Sequence, residues 1–175
     1  MAAASAEEGM RQITELSQAT PEGSARLARL HDALEQKRLE LESLDVAYNQ
    51  WYTSTAAFPE DEPDPRPPLE GDPVVEVQIG TYPGSRLPHV WINSPTSRKM
   101  ISTIDLAGKG SFCLLVGVGG DCWRTAAEIV KRATGIPING FGIGLGQEYT
   151  DVYRNWIGKR GVNESECVLV RPDRF

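Results

Sequence analysis

The apolar positions change period along the chain. From Pro21 to about Tyr48 they recur at helical spacing, with Leu27, Leu30, Leu34, Leu41, Leu44 and Tyr48 on one stripe. Lys37 interrupts that stripe, and Glu35, Arg38 and Glu42 occupy the outer face. The pattern predicts an amphipathic helix whose apolar side must be covered, either by its own domain or by a partner. Residues 1–17 are polar and helix-prone, and Thr20-Pro21-Glu22-Gly23 supplies a stop and a new start.

The second half reads differently. VVEVQI, beginning at Val74, alternates weakly and predicts an edge strand. HVWI and the start of SRKMISTIDL are further strand-like pieces, separated from the next run by a turn at Gly108-Lys109-Gly110. SFCLLVGV is a continuous apolar run, as expected for a strand buried on both faces. A helix should follow it, with Asp121 as its cap and Trp123, Ala126, Ala127, Val130 and Ala133 as its apolar face. Thr134-Gly135 should end that helix, with Lys131 and Arg132 in its last turn. IPINGFGIGL predicts a second strand, EYTDVYRNWI a short helix and ECVLV a third strand. Together these elements predict helices packed on a mixed sheet, an α/β fold.

Residues 56–73 separate the halves. Six prolines and a cluster of acids there remove backbone donors and predict an extended linker. The organisation expected is a helical segment at 1–55, the linker, and an α/β domain at 74–175.

Charge and composition narrow the function. A net charge of −6 argues against nucleic acid or an anionic membrane surface as a partner. No apolar run is long enough to span a bilayer, and the N-terminus has no secretory pattern. The three cysteines, Cys113, Cys122 and Cys167, form neither a disulfide framework nor a C-x-x-C, which fits a reducing, cytoplasmic setting. With His31 and His89 the only histidines, no Cys/His metal site is expected.

Four residues are candidates for chemistry. The turn after SFCLLV carries Gly117, Gly119 and Gly120, but a dinucleotide fingerprint would need glycine at Cys122 and an acid further on. No cofactor-binding residue is expected there. Cys122 stands near a helix N-terminus, where the dipole favours a thiolate. Its C-x-x-C partner positions hold Gly119 and Thr125, so it reads either as a lone nucleophile or as a small packed residue. His89 and Asp105 could perform acid–base work if they meet, with Arg86 as an anion clamp; otherwise they order a loop.

Four segments, in order, carry a resemblance: YPGSRLPHVWI, STIDLAGKGSFCLLVGVGGDCW, IGLGQEYTDVYRNW and CVLVRPD. The chain resembles the C-terminal part of FAD-dependent aromatic-ring hydroxylases of the phenol 2-monooxygenase and 2,4-dichlorophenol 6-monooxygenase type. The helical stretch from Thr20 resembles the segment leading into that part. The resemblance implies a thioredoxin-like domain without the thioredoxin cysteines, contributing in some members to subunit contacts. FAD and NAD(P)H serve the full-length family, but the flavin motifs are not in this sequence, so no cofactor is expected on this chain alone. Pro83, Gly84, Arg86, Leu87, Pro88, His89 and Trp91 carry over as a structural motif only. The family's final strand is expected beyond Asp173, so one sheet edge should be open where the sequence stops at Phe175.

Three functions follow. The first is a non-catalytic accessory domain supporting a flavoprotein partner or pairing with itself. The second is a stand-alone enzyme on an aromatic or polyketide-type metabolite, using Arg86, His89, Asp105 and Cys122. The third is a thiol-redox module built on Cys122.

Overall fold

The computed structural model describes residues 5–41, 47–94, 96 and 99–175. The chain divides into two compact units, Met1–Leu44 and Asp45–Phe175.

The first unit is a helical hairpin of α1 (Ala6–Glu15) and α2 (Pro21–Leu41). Ser5 caps α1 by accepting the Glu8 N–H at 3.2 Å. Thr20 does the same for α2, accepting the Gly23 N–H at 3.1 Å with Pro21 in the first helical position. The turn between them is tight: a Cβ on Gly23 would lie 2.6 Å from the Glu15 carbonyl oxygen. Arg26 reaches Glu15 at 2.7 Å across the hairpin. Leu27, Leu30 and Leu34 of the predicted stripe are exposed. Glu42 and Leu44 lie outside the described residues, and Tyr48 belongs to the second unit.

The second unit begins irregularly. Asn49 and Trp51 are bonded across to the segment 76–83. The Asn49 side chain accepts the Gln78 N–H at 2.7 Å and donates to the Glu76 carbonyl at 2.8 Å. Trp51 Nε1 donates to the Pro83 carbonyl at 3.0 Å. In the proline-rich stretch, Arg66 lies 4.8 Å over the Trp51 ring, and Gln78 Nε2 donates to the Pro67 carbonyl at 2.6 Å. Residues 74–79 form no strand, contrary to their alternation. Asp72 opens a turn instead, taking the Val74 N–H on its carboxylate at 2.8 Å and the Glu76 N–H on its carbonyl at 2.9 Å. Asn49 then satisfies backbone groups that a ladder would have used.

Two small sheets follow. β1 (Trp91–Ser94) and β2 (Lys99–Ser102) pair antiparallel, with Trp91 opposite Ser102. A single turn of helix, α3 (Thr103–Leu106), continues directly from β2. β3 (Phe112–Val116) is the centre of the second sheet. It pairs in parallel with β4 (Ile138–Gly142) and antiparallel with β5 (Cys167–Val170). Helix α4 (Asp121–Thr134) connects β3 to β4, and α5 (Asn155–Lys159) precedes β5. This is the mixed α/β arrangement the sequence predicts. Asn93 of β1 and Thr150 exchange backbone hydrogen bonds at 2.8 and 2.9 Å, joining β1 to the segment that follows β4. Among the described residues no strand pairs with the far edge of β5.

The faces of β3 feed two cores. Cys113 and Leu115 pack with Leu87, Val90, Ile92, Ala107, Ile143, Trp156 and Val170. Leu114 and Val116 pack with Ile138 on the α4 side. That division follows from the two-residue period of a strand.

Two helix starts differ from expectation. The N-cap of α4 is Gly120, not Asp121, which is the first helical residue. A Cβ at Gly120 would lie 2.6 Å from Val116 Cβ, so the close return of the chain requires glycine there. Asp121 places its charge in the first turn, where the dipole favours it. The helix in EYTDVYRNWI begins only at Asn155, because the Asp151 carboxylate takes the N–H groups of Asn155 and Ile157 at 3.0 Å each. The end of α4 is as predicted: Gly135, at φ 73°, donates its N–H to the Lys131 carbonyl at 2.9 Å. No described helix is long and apolar enough to cross a membrane.

Candidate functional site

The polar residues of the H-x-W and S-T-x-D segments meet at the junction of β1, β2 and α3. Thr103 is fully buried. Its hydroxyl donates to the Pro88 carbonyl at 2.6 Å and accepts the Val90 N–H at 3.0 Å. Ser102 and Asp105 form a capping box: Ser102 Oγ accepts the Ile104 N–H, and Asp105 Oδ2 accepts the Ser102 N–H, each at 3.1 Å. His89 Nδ1 lies 2.7 Å from Ser102 Oγ. The hydroxyl can accept from Ile104 and still donate to Nδ1. The exposed His89 ring meets Trp91 edge-on, with centroids 4.8 Å apart.

His89 and Asp105 are therefore neighbours of one serine, but no hydrogen bond joins them among the described residues. Asp105 is engaged in capping. Arg86 is turned elsewhere, its guanidinium 5.7 Å from the Tyr48 ring centroid. Cys122 is remote from this corner, exposed in the first turn of α4. The four candidates do not form one constellation.

The glycine turn is occupied by the protein itself. Glu164 accepts the Gly119 N–H on its carbonyl and the Val118 N–H on its carboxylate, both at 3.1 Å. The Glu164 backbone lies against Gly117, leaving no room for a Cβ. A phosphate cradle needs free N–H groups pointing at the ligand; here the carboxylate and the backbone carbonyl of Glu164 already hold them. These residues do not fit a flavin or nucleotide phosphate. Glu164 titrates below the ordinary carboxylate range, first because Arg160 donates to it and then because Val118 does.

The thiols differ in setting. Burial pushes the pKa of Cys113 up to about 12 and that of Cys167 up to about 11. Among the described residues no group of His, Cys, Asp and Glu could hold a metal ion. An open groove of about 1020 Å³ runs beside α4 and β5, lined by Arg66, Leu114, Trp123, Ala127, Cys167 and Leu169 among others. None of Arg86, His89, Asp105 or Cys122 lines it.

Sequence reasoning missed Ser102 and Thr103, the residues that organise the corner. The S-T-x-D spacing was the available signal, since it is a capping-box pattern. It also missed Arg160 and Glu164, whose roles depend on contacts distant in sequence.

A family model described as aromatic-ring hydroxylase, C-terminal, matches residues 80–175. The chain belongs to this family. Phenol 2-monooxygenase of Pseudomonas sp. (strain EST1001) is 36% identical over 155 residues, covering 89% of this chain and 25% of that protein. The 2,4-dichlorophenol 6-monooxygenase of Delftia acidovorans is 36% identical over 169 residues, covering 97% of this chain and 28% of the relative. The chain thus spans about a quarter of the length of these curated relatives. The crystal structure of the flavin-dependent monooxygenase PieE, in complex with FAD and substrate, superposes with a TM-score of 0.77 at 36% identity. That match covers 96% of this chain and 28% of PieE. In this aromatic-ring hydroxylase C-terminal domain, the P-G-x-R-L-P-H-x-W segment forms the loop and strand that Ser102 and Thr103 hold in place.

Proposed function

We propose that this chain serves as the accessory C-terminal domain of an FAD-dependent aromatic-ring hydroxylase, supporting the flavin-bearing part and not hydroxylating by itself. The observation that carries this reading is the commitment of the glycine turn. Its Val118 and Gly119 N–H groups are held by Glu164, so the most cofactor-like segment of the chain is a packing device. Aromatic hydroxylation depends on the chemistry of its cofactor. The exposed apolar residues Leu27, Leu30 and Leu34 on α2, and Trp123, Ile129 and Val130 on α4, support a role in contact with other protein surface. The flavoprotein is the partner we favour over a second copy, because the relatives carry this domain within one flavin-dependent chain.

Reconstitution tests the reading. The purified chain should be colourless, should not bind FAD, and should not oxidise NAD(P)H in the presence of a phenol. Exchanged for the C-terminal quarter of phenol 2-monooxygenase, it should give a folded, flavin-loaded chimera. Phenol turnover by the isolated chain would overturn the proposal. A chimera that sheds its flavin, where the parent retains it, would remove the supporting role.

A further inference from the structure

The turn Gly108-Lys109-Gly110 has φ angles of 88°, 61° and 79° at successive residues. Among the described residues three non-glycine residues take a positive φ: Lys109 at 61°, Arg154 at 56° and Arg174 at 73°. Glycine reaches that region without steric cost, so a side chain kept there marks a position where something else is required of it. Two of the three come together at Gly108. Lys109 follows it in the chain, and Arg174 Nε stands 3.1 Å from where a Cβ on Gly108 would lie. Neither cation has a carboxylate partner among the described residues, and Arg174 Nε is buried with no hydrogen-bond partner.

This turn forms one wall of an open cavity of about 510 Å³, a size that suits a small molecule. Ile101, Leu106, Phe141 and Tyr149 supply its apolar lining. The Phe141 and Tyr149 rings already meet edge-on, with centroids 6.1 Å apart, an arrangement that a third ring can extend. The polar lining keeps donors in reserve. Lys109 spends one ammonium hydrogen on the Asp105 carbonyl at 3.0 Å, and Asn139 spends one amide hydrogen on Ser111 Oγ at 2.8 Å. The Tyr149 hydroxyl has no hydrogen-bond partner among the described residues. Asp105 also lines the cavity, with Oδ2 committed to the Ser102 N–H at 3.1 Å. Lys109 and Arg174 outweigh its one negative charge, two against one, on a chain whose net charge is −6.

We propose that this cavity is a binding site for a small aromatic carboxylate. The ring lies against Phe141 and Tyr149. The carboxylate faces the Lys109 ammonium, with Asn139 and the Tyr149 hydroxyl as further donors. Arg174 stays behind Gly108 and adds positive charge without contact. The left-handed backbone at Lys109 is tolerated because it sets the ammonium at the rim. The site shares no lining residue with the groove beside α4 and β5, and it is separate from the glycine turn that Glu164 holds.

Benzoate titrated into the full chain, followed by nitrogen–proton correlation NMR, tests this. We expect saturable shifts centred on the amides of residues 108–111, Asn139, Phe141 and Tyr149, weakening as salt is raised. Benzamide keeps the ring without the charge, and cyclohexanecarboxylate keeps the charge without the aromatic ring. Each should bind about threefold more weakly than benzoate. Lys109→Gly suits the backbone at φ 61° and should melt no lower than the wild type. It should nevertheless weaken benzoate about threefold while leaving benzamide unchanged. The comparison of compounds on the wild-type chain decides the question even without the variant. Shifts centred elsewhere or none at all, benzylamine or cyclohexanecarboxylate binding as tightly as benzoate, or undiminished benzoate binding by the Lys109→Gly chain would each overturn the proposal.

Discussion

Arg160 and Glu164 face each other at 3.0 Å, a side chain only 8% exposed against one that is 47% exposed. Through this contact a buried guanidinium from the end of α5 steadies the carboxylate that holds the glycine turn. The pair sits where a phosphate would have to bind for that turn to serve a nucleotide.

Glu164→Gln should reduce stability near neutral pH by about 1 kcal/mol. The exposure of the carboxylate keeps the loss modest. Glu164 titrates below its ordinary value of 4.5 when folded. Such a group stabilises the fold above its unfolded pKa, and that contribution is lost as pH falls through the folded pKa. The difference between wild type and variant should shrink as the pH is taken into acid below 4.5. Urea unfolding at both pH values measures it, and an undiminished gap in acid would refute the assignment.

Thr103→Val keeps the shape of a fully buried side chain but leaves the Pro88 carbonyl and the Val90 N–H without their partner. We expect a loss of about 1–3 kcal/mol. Ser102→Ala removes a helix cap and should cost about 1 kcal/mol. His89→Ala, at an exposed ring, should cost less than about 0.5 kcal/mol. Thermal denaturation ranks the three; a His89 variant as damaging as Thr103→Val would show that the histidine does more than line the corner.

Two glycines should fail for different reasons. Gly135→Ala meets no neighbouring atom but must adopt φ 73°, costing about 1 kcal/mol. Gly120→Ala has an ordinary φ of −93° but drives a methyl against Val116, costing about 1–3 kcal/mol. Removing the Val116 Cβ relieves only the second, so adding Val116→Gly to each variant distinguishes them. If the second substitution rescues neither, or both equally, the steric explanation for Gly120 is wrong.

The α/β part of the fold was legible wherever one residue pattern had one physical solution. The run Phe112–Val116 could only be a buried strand, and Lys131-Arg132 before Gly135 could only be a helix end. The pattern misled at residues 74–79, where a weak alternation lost to the Asp72 turn and the Asn49 side chain. It also misplaced the start of α5, because Asp151 satisfies N–H groups further along than the aromatic spacing implied. At the candidate site, His89 and Asp105 were legible as a candidate pair from two separate segments. That Ser102 stands between them was not, since it requires β1 to lie beside β2.

The sequence by itself determined β3, α4, β4 and β5, the family likeness and the incompleteness of the nucleotide fingerprint. These depend on local period and residue type, which backbone sterics and burial translate directly into strand, turn and helix. Only the tertiary structure decided what the glycine turn is for. That answer depends on the loop before β5, whose Glu164 reaches the turn only because β5 pairs antiparallel with β3. Strand pairing joins residues distant along the chain, and no local pattern carries that information.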